Sequence, residues 1–197
     1  MKKWRLFALL IMCICLLAGC KKAYTTLSGN VETNTILVKE DGKVQTAIVE
    51  DFDKEYYDQD TLKAFIEATV SDFNTLTGEN TVKVGSLKIN DEVAKVLFTY
   101  KDMDTYASFN DVEAKFMTVE EADADNLLPE TFYDVNGTEE VSKSKILEKG
   151  KYKVIVLNEE YDVVVDGKIK YYSGAVPINS KTVQTTGKET SVIVFKP

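Results

Sequence analysis

Between residues 62 and 76, Leu62, Phe65, Ile66, Val70, Phe73 and Leu76, with Thr69 among them, recur at three- and four-residue steps. That spacing predicts an amphipathic helix with one apolar stripe. Asp60 is its predicted N-cap, and Gly78 supplies the stop after its last turn. Phe65 and Phe73 stand eight residues apart, just over two turns, and are both expected to project into a neighbouring sheet.

On either side the period falls from 3.6 to 2. Residues 34–38 and 44–49 are β-prone runs around Asp41-Gly42, a hairpin signal. Residues 81–89 and 93–100 form a second predicted hairpin through Asn90-Asp91, in which Ala94, Val96, Phe98 and Tyr100 share one side. A short helix is expected over 102–110, then a strand over 112–116. Thr118 and Glu121 have the spacing of a capping box, and the helix it opens must end before Pro129. Beyond Pro129 the texture is almost wholly β, with strand-like runs at 141–147, 152–157, 161–165, 168–172, 174–178 and 191–195. The predicted class is α+β: antiparallel hairpins packed on one main helix, followed by a mostly-β C-terminal half. Residues 34–128 are the α+β region and 129–197 the β-rich region, as two small domains or as halves of one continuous core.

The N-terminus has a different pattern. Lys2, Lys3 and Arg5 precede an apolar run over residues 6–17, which ends in Leu17-Ala18-Gly19-Cys20. A run of twelve residues is too short for a bilayer core, which needs about 20, and it has the layout of a secretory signal. In this stretch the chain resembles bacterial lipoproteins, Gram-positive ones in its general layout, in which a lipid is joined to the thiol of such a cysteine and a peptidase cuts before it. The resemblance implies that residues 1–19 are a signal peptide, that Cys20 carries the lipid, and that the mature chain sits on the outer face of a cell membrane. Two acyl chains hold a protein stably where one is marginal. Residues 20–33, polar and rich in small side chains, read as a tether.

Cleavage after Gly19 changes the charge. It removes three cations and no carboxylate, leaving 21 basic against 32 acidic residues in 178, a net charge of −11. All the remaining basic residues are lysines, with no arginine or histidine, and Cys20 is the sole remaining cysteine. A net-negative surface without the bidentate guanidinium fork argues against nucleic-acid binding. Without histidine or a free thiol, Ser-His-Asp and Cys-His catalysis and zinc sites of the usual kind are excluded. No catalytic residue, cofactor site or metal ligand is assigned.

Three patterns remain as candidates. Ser142-Lys143-Ser144-Lys145 is formally a serine–lysine dyad, but on a strand it reads as one serine face and one lysine face. Residues 51–60 hold five carboxylates, an oxygen-rich composition suited to calcium. As an EF-hand loop the stretch fails, with Tyr56 where glycine belongs and Leu62 where glutamate belongs; an acidic approach to a helix N-terminus accounts for it. All ten tyrosines lie after Cys20, and the pairs Tyr56-Tyr57 and Tyr171-Tyr172 suggest a platform for sugar or protein, although on strands each pair should have one ring inside and one outside.

The expected function is therefore that of a lipid-anchored extracytoplasmic binding or interaction module of the cell envelope. Its partners are the membrane, through Cys20, and an envelope protein or glycan. A transporter's substrate-binding lipoprotein and a carboxylate-dependent envelope enzyme are the alternatives, with no enzymatic activity as the favoured reading.

Overall fold

A computed structural model of the chain describes residues 26–28, 30–137 and 139–197. Cys20 and the signal segment lie outside the described residues. The elements run β1 (Thr35–Val38), β2 (Val44–Asp51), α1 (Gln59–Thr77), β3 (Val82–Asn90), β4 (Val93–Tyr100), α2 (Met103–Asn110), β5 (Ala114–Thr118), α3 (Val119–Ala124), β6 (Thr131–Asp134), β7 (Glu140–Ser142), α4 (Lys143–Leu147), β8 (Lys153–Leu157), β9 (Asp162–Val165), β10 (Lys168–Ser173), β11 (Ala175–Asn179), β12 (Thr182–Thr185) and β13 (Ser191–Lys196). This is the α+β class, with a second half that is mostly strand.

The strands form two sheets, in the orders β11-β12-β9-β1-β2-β4-β3 and β5-β8-β13-β10-β6-β7. Each sheet takes strands from both sides of Pro129. The joint in the first sheet is parallel, with Ile36 opposite Val163 and Val38 opposite Val165. The two inner faces pack together through Ile36, Val44 and Val163 on one side and Ile155, Ile193 and Phe195 on the other. The second sheet is also covered on its outer face, where Val119 and Ala122 of α3 and Ile146 of α4 meet Val154, Val156 and Val194. Burial on both faces explains the unbroken apolar run of β13.

Local chemistry sets the connections. Gly42 takes φ +83° in the β1–β2 turn, while Asp91 and Glu92, at φ +50° and +61°, supply the paired left-handed conformations of a tight hairpin between β3 and β4. Thr118 and Glu121 make the expected capping box at α3. α1 is capped by Asp58, not Asp60: the Asp58 carboxylate accepts from the Thr61 N–H at 2.7 Å, which starts the helix two residues earlier. Asn74 fixes the other end to the sheet, its Oδ1 accepting from the N–H groups of Thr81 and Val82 at 3.0 Å each, its amide donating to the Val82 carbonyl at 2.9 Å.

Four further expectations need correction. The α1 stripe splits: Ile66 and Val70 are buried and Phe73 packs on the core, but Phe65 is 68% exposed. Eight residues at 100° each leave Phe65 and Phe73 about 80° apart around the axis, enough to turn one outward. The run 141–147 is not one strand, because after Ser142 the chain coils into α4, burying Ile146 against the outer face of the second sheet. Strands β6 and β12 form where no strand was expected; β12, Thr-Val-Gln-Thr, has a single apolar side chain to signal it. The described part of the tether is docked. Leu27 N–H donates to Gln45 Oε1 at 3.2 Å, Lys95 Nζ to the Val31 carbonyl at 2.8 Å and Thr33 Oγ1 to Asp162 at 2.7 Å, so Leu27, Val31 and Thr33 lie along the outer face of the first sheet. Beneath them Leu37 and Ala47 are buried.

Candidate functional site

The outward turn of Phe65 has a structural consequence. The C-terminal half of α1 lies on β3 through Val70, Phe73 and Asn74, whereas its N-terminal half stands off the sheet and leaves a cleft of about 560 Å³. The floor is the inward-facing row of β2 and β4, Ile48, Ala94, Val96 and Phe98. One wall is Leu62, Phe65 and Ile66 of α1; the other is the 52–58 loop with Phe52, Tyr56 and Tyr57. That volume is the size of an ordinary small-ligand pocket, and its lining is predominantly apolar, as such pockets are.

The loop is held by its own rings. Phe52 and Tyr57 lie 4.9 Å apart between centroids, and Tyr56 meets Tyr57 edge-on at 5.0 Å. The Phe52 N–H donates to the Glu92 carbonyl at 2.6 Å, which ties the start of the loop to the β3–β4 turn. Tyr56 is nevertheless 78% exposed, a large apolar surface in water beside a hollow lined by its own kind. Glu50, Asp51 and Asp58 are the charged residues of the lining, all exposed, with no lysine among them. Two hydrogen bonds from Thr61, led by its side chain, hold the Asp58 carboxyl below its ordinary pKa. An ionised cap is poorly suited to serve as a general acid.

No family model matches the chain, and no curated protein or solved structure matches it at a significant level. Function has to be read from geometry.

The patterns picked out from the sequence separate here. The acidic stretch 51–60 is dispersed: Asp58 caps α1, Asp53 pairs with Lys54 at 2.7 Å, and among the described residues no group of three or more carboxylates is placed to hold a metal ion. Ser142 and Ser144 share a 2.8 Å hydroxyl contact, while Lys143 points to Asp123 of α3 at 2.6 Å. Asp123 raises the Lys143 pKa, the reverse of what a base lysine requires. The tyrosine pairs do not alternate. Tyr171 and Tyr172 are both buried because β10 is an interior strand, and Tyr56 and Tyr57 are both exposed because they lie in a turn. Tyr100, Tyr106 and Tyr161 meet edge to face at the core, with ring centroids 5.3 and 6.5 Å apart along the series. The cleft has no contiguous signal in the sequence: Phe52, Tyr56 and Tyr57 read as part of an acidic run and Phe65 as part of the core.

Proposed function

We propose that this chain is a lipid-anchored extracytoplasmic binding module of the bacterial cell envelope, with the cleft between α1 and the first sheet as its binding site. The observation that carries the reading is the open apolar cleft, in which exposed aromatic rings stand beside acidic side chains with no basic group among them. Such a lining favours an apolar group flanked by positive charge: an aromatic or aliphatic side chain of a lysine- or arginine-bearing peptide segment fits it, the apolar part entering and the cations meeting Glu50, Asp51 and Asp58. The anchor itself rests on residues 17–20. Among the described residues no helix is long and apolar enough to cross a membrane. Both sheets draw on both halves of the chain, which disfavours the alternative of a transporter component with two lobes around a cleft.

The test uses a convenience of the sequence. The one tryptophan, Trp4, falls in the removed segment, so tryptophan fluorescence of a bound peptide is read without background from residues 20–197. A Lys-Lys-Trp-Leu-Lys-Lys peptide should bind with a blue shift, and Phe65→Ser should weaken it about tenfold or more, whereas a Glu-flanked peptide should not bind. Equal binding of both peptides, or none, would exclude this ligand class.

A further inference from the structure

At the other end of the first sheet, beyond the C-terminal ends of β1 and β9, lies a hollow of about 490 Å³ lined by Lys168, Lys170, Lys181 and Lys196 with Asp166 and Gly167. Its shape depends on Gly167, where a Cβ would collide with the Lys196 carbonyl oxygen; the β9–β10 turn lies against β13 because that atom is missing. Strand register sets Lys168 directly opposite Lys196, and the irregularity between Ile169 and Tyr171 leaves Lys170 without a partner on β13. The Val165 N–H donates to the Lys181 carbonyl at 3.0 Å and the Ile169 N–H to the Ser180 carbonyl at 2.8 Å, so the β11–β12 turn brings Lys181 alongside. Among the described residues none of these four ammonium groups is in an ion pair. Like charges set opposite on neighbouring strands destabilise a sheet. Such a local conflict, in a chain with a net charge of −8, points to an anion that relieves it.

The route of the chain says which anion. Leu27 is hydrogen-bonded to Gln45, the second residue of β2, next to the β1–β2 turn, whereas Val31 and Thr33 lie away from that turn, at Lys95 and Asp162. Leu27, one residue from the start of the described chain, therefore stands at the lysine end. Thr26 is six residue steps from Cys20, at most about 20 Å when fully extended. A lipid on Cys20 holds this end, and not the cleft, against the membrane. We propose that the lysine hollow binds the phosphate of anionic lipid headgroups and seats the anchored protein with its cleft facing outward. This orientation rests on the lipidation of Cys20 proposed above; the phosphate site does not.

The experiment takes residues 20–197 with Cys20→Ser, which carries no lipid and contains every described residue, and measures co-sedimentation with vesicles. Binding to vesicles containing phosphatidylglycerol and little binding to pure phosphatidylcholine are expected, despite the net negative charge of the protein. A lysine at an anionic surface strengthens binding about fivefold, so Lys168→Gln, Lys181→Gln and Lys196→Gln together should weaken it about a hundredfold. The same charge change at Lys54, Lys63 and Lys88, toward the cleft end, should leave it within about threefold. Indifference to phosphatidylglycerol, or equal losses in both triple variants, would overturn the site. Saturable binding of millimolar inorganic phosphate, lost in the Lys168, Lys181 and Lys196 triple variant, together with no preference for phosphatidylglycerol vesicles, would show a soluble-phosphate site and overturn the lipid assignment. Because no acyl chain is present, failure here is separate from failure of the lipidation reading.

Discussion

Phe65 and Phe73 belong to the same predicted stripe and to different surfaces, which makes a contrast between their alanine variants informative. Phe73 packs on the main core and meets Phe109 edge-on at 5.2 Å. Truncating such a ring costs about 3 kcal/mol, from lost transfer energy, the cavity left behind and the lost aromatic pair. For a domain of this size that is a fall in Tm of roughly 6 to 12 °C. Phe65 is 68% exposed, so about a third of its side chain is removed from water, and its loss should cost under about 1 kcal/mol. Urea unfolding followed by circular dichroism measures both. The second readout is the tryptophan peptide, whose affinity should fall in Phe65→Ala and hold in Phe73→Ala under conditions where both remain folded. Equal destabilisation by the two substitutions would refute the division of the helix into a packed half and an open half. Unchanged peptide binding in Phe65→Ala would remove that ring from the site.

Cys20→Ala should abolish incorporation of a palmitate analogue in a bacterial host, and label retained in the variant would refute the lipid attachment. Millimolar calcium should shift the Tm by no more than about 1 °C, matching sodium at equal ionic strength, since the carboxylates of residues 51–60 are dispersed; a calcium-selective rise of several degrees, lost on Asp51→Asn with Asp53→Asn, would contradict that. Asp58→Ala should lower the Tm by a few degrees and Asp58→Asn by much less, because asparagine caps a helix as well; equal losses would show that charge, not the cap hydrogen bond, is what matters. Burial raises the phenol pKa values of Tyr100, Tyr106 and Tyr161. Their folded-state values exceed the unfolded value near 10, so their contribution is fully present below about pH 10 and is lost as pH rises above it, while unfolded chains ionise and folded ones do not. Phenolate absorbance from these rings should appear together with loss of ellipticity, and a phenolate signal of all ten tyrosines in the folded state would contradict their burial.

Much of the fold was legible because its local signals agree with its global packing. The Asp41-Gly42 turn, the Thr118 capping box and the alternation in β4 each follow from a few adjacent residues, and each appears in place. What was not legible depends on partners distant in sequence. β12 is a strand because β9 and β11 offer hydrogen bonds on both sides, and its one apolar side chain, Val183, is buried. The stretch after Ser142 alternates like a strand, yet burial of Ile146 against the second sheet and the pull of Asp123 on Lys143 wind it into a helix. The cleft is the extreme case. An apolar stripe states that a helix must be covered but not along how much of its length, and the place where cover ends is set by where β3 and Asn74 hold it. The lysine hollow is hidden in the same way, since its four cations come from two separate strands and a turn.

The two ends of the molecule differ in a way that net charge conceals. β2 alone is eight residues, about 26 Å, and it separates the turn beside the lysine hollow from Glu50 and Asp51 at the cleft. At physiological ionic strength the Debye length is about 8 Å, so carboxylates at the cleft end are screened from anything the lysine end touches. A protein that is strongly acidic as a whole is thus locally basic toward any surface that meets only its lysine end. The same screening works in the other direction: a cationic peptide at the cleft meets Glu50, Asp51 and Asp58 and is not repelled by the lysines at the opposite end. Raising the salt should then weaken vesicle binding and peptide binding alike, because each depends on its own short-range charge set. Lowering it to about 0.01 M extends the Debye length to about 30 Å, longer than the separation, and lets the two ends oppose each other. Vesicle binding should therefore rise less steeply at low salt than four isolated lysines would give. A vesicle-binding curve that keeps rising with the slope of four isolated cations down to 0.01 M would mean that the ends do not sense each other, and would place the acidic cleft farther from the membrane than the length of β2 allows.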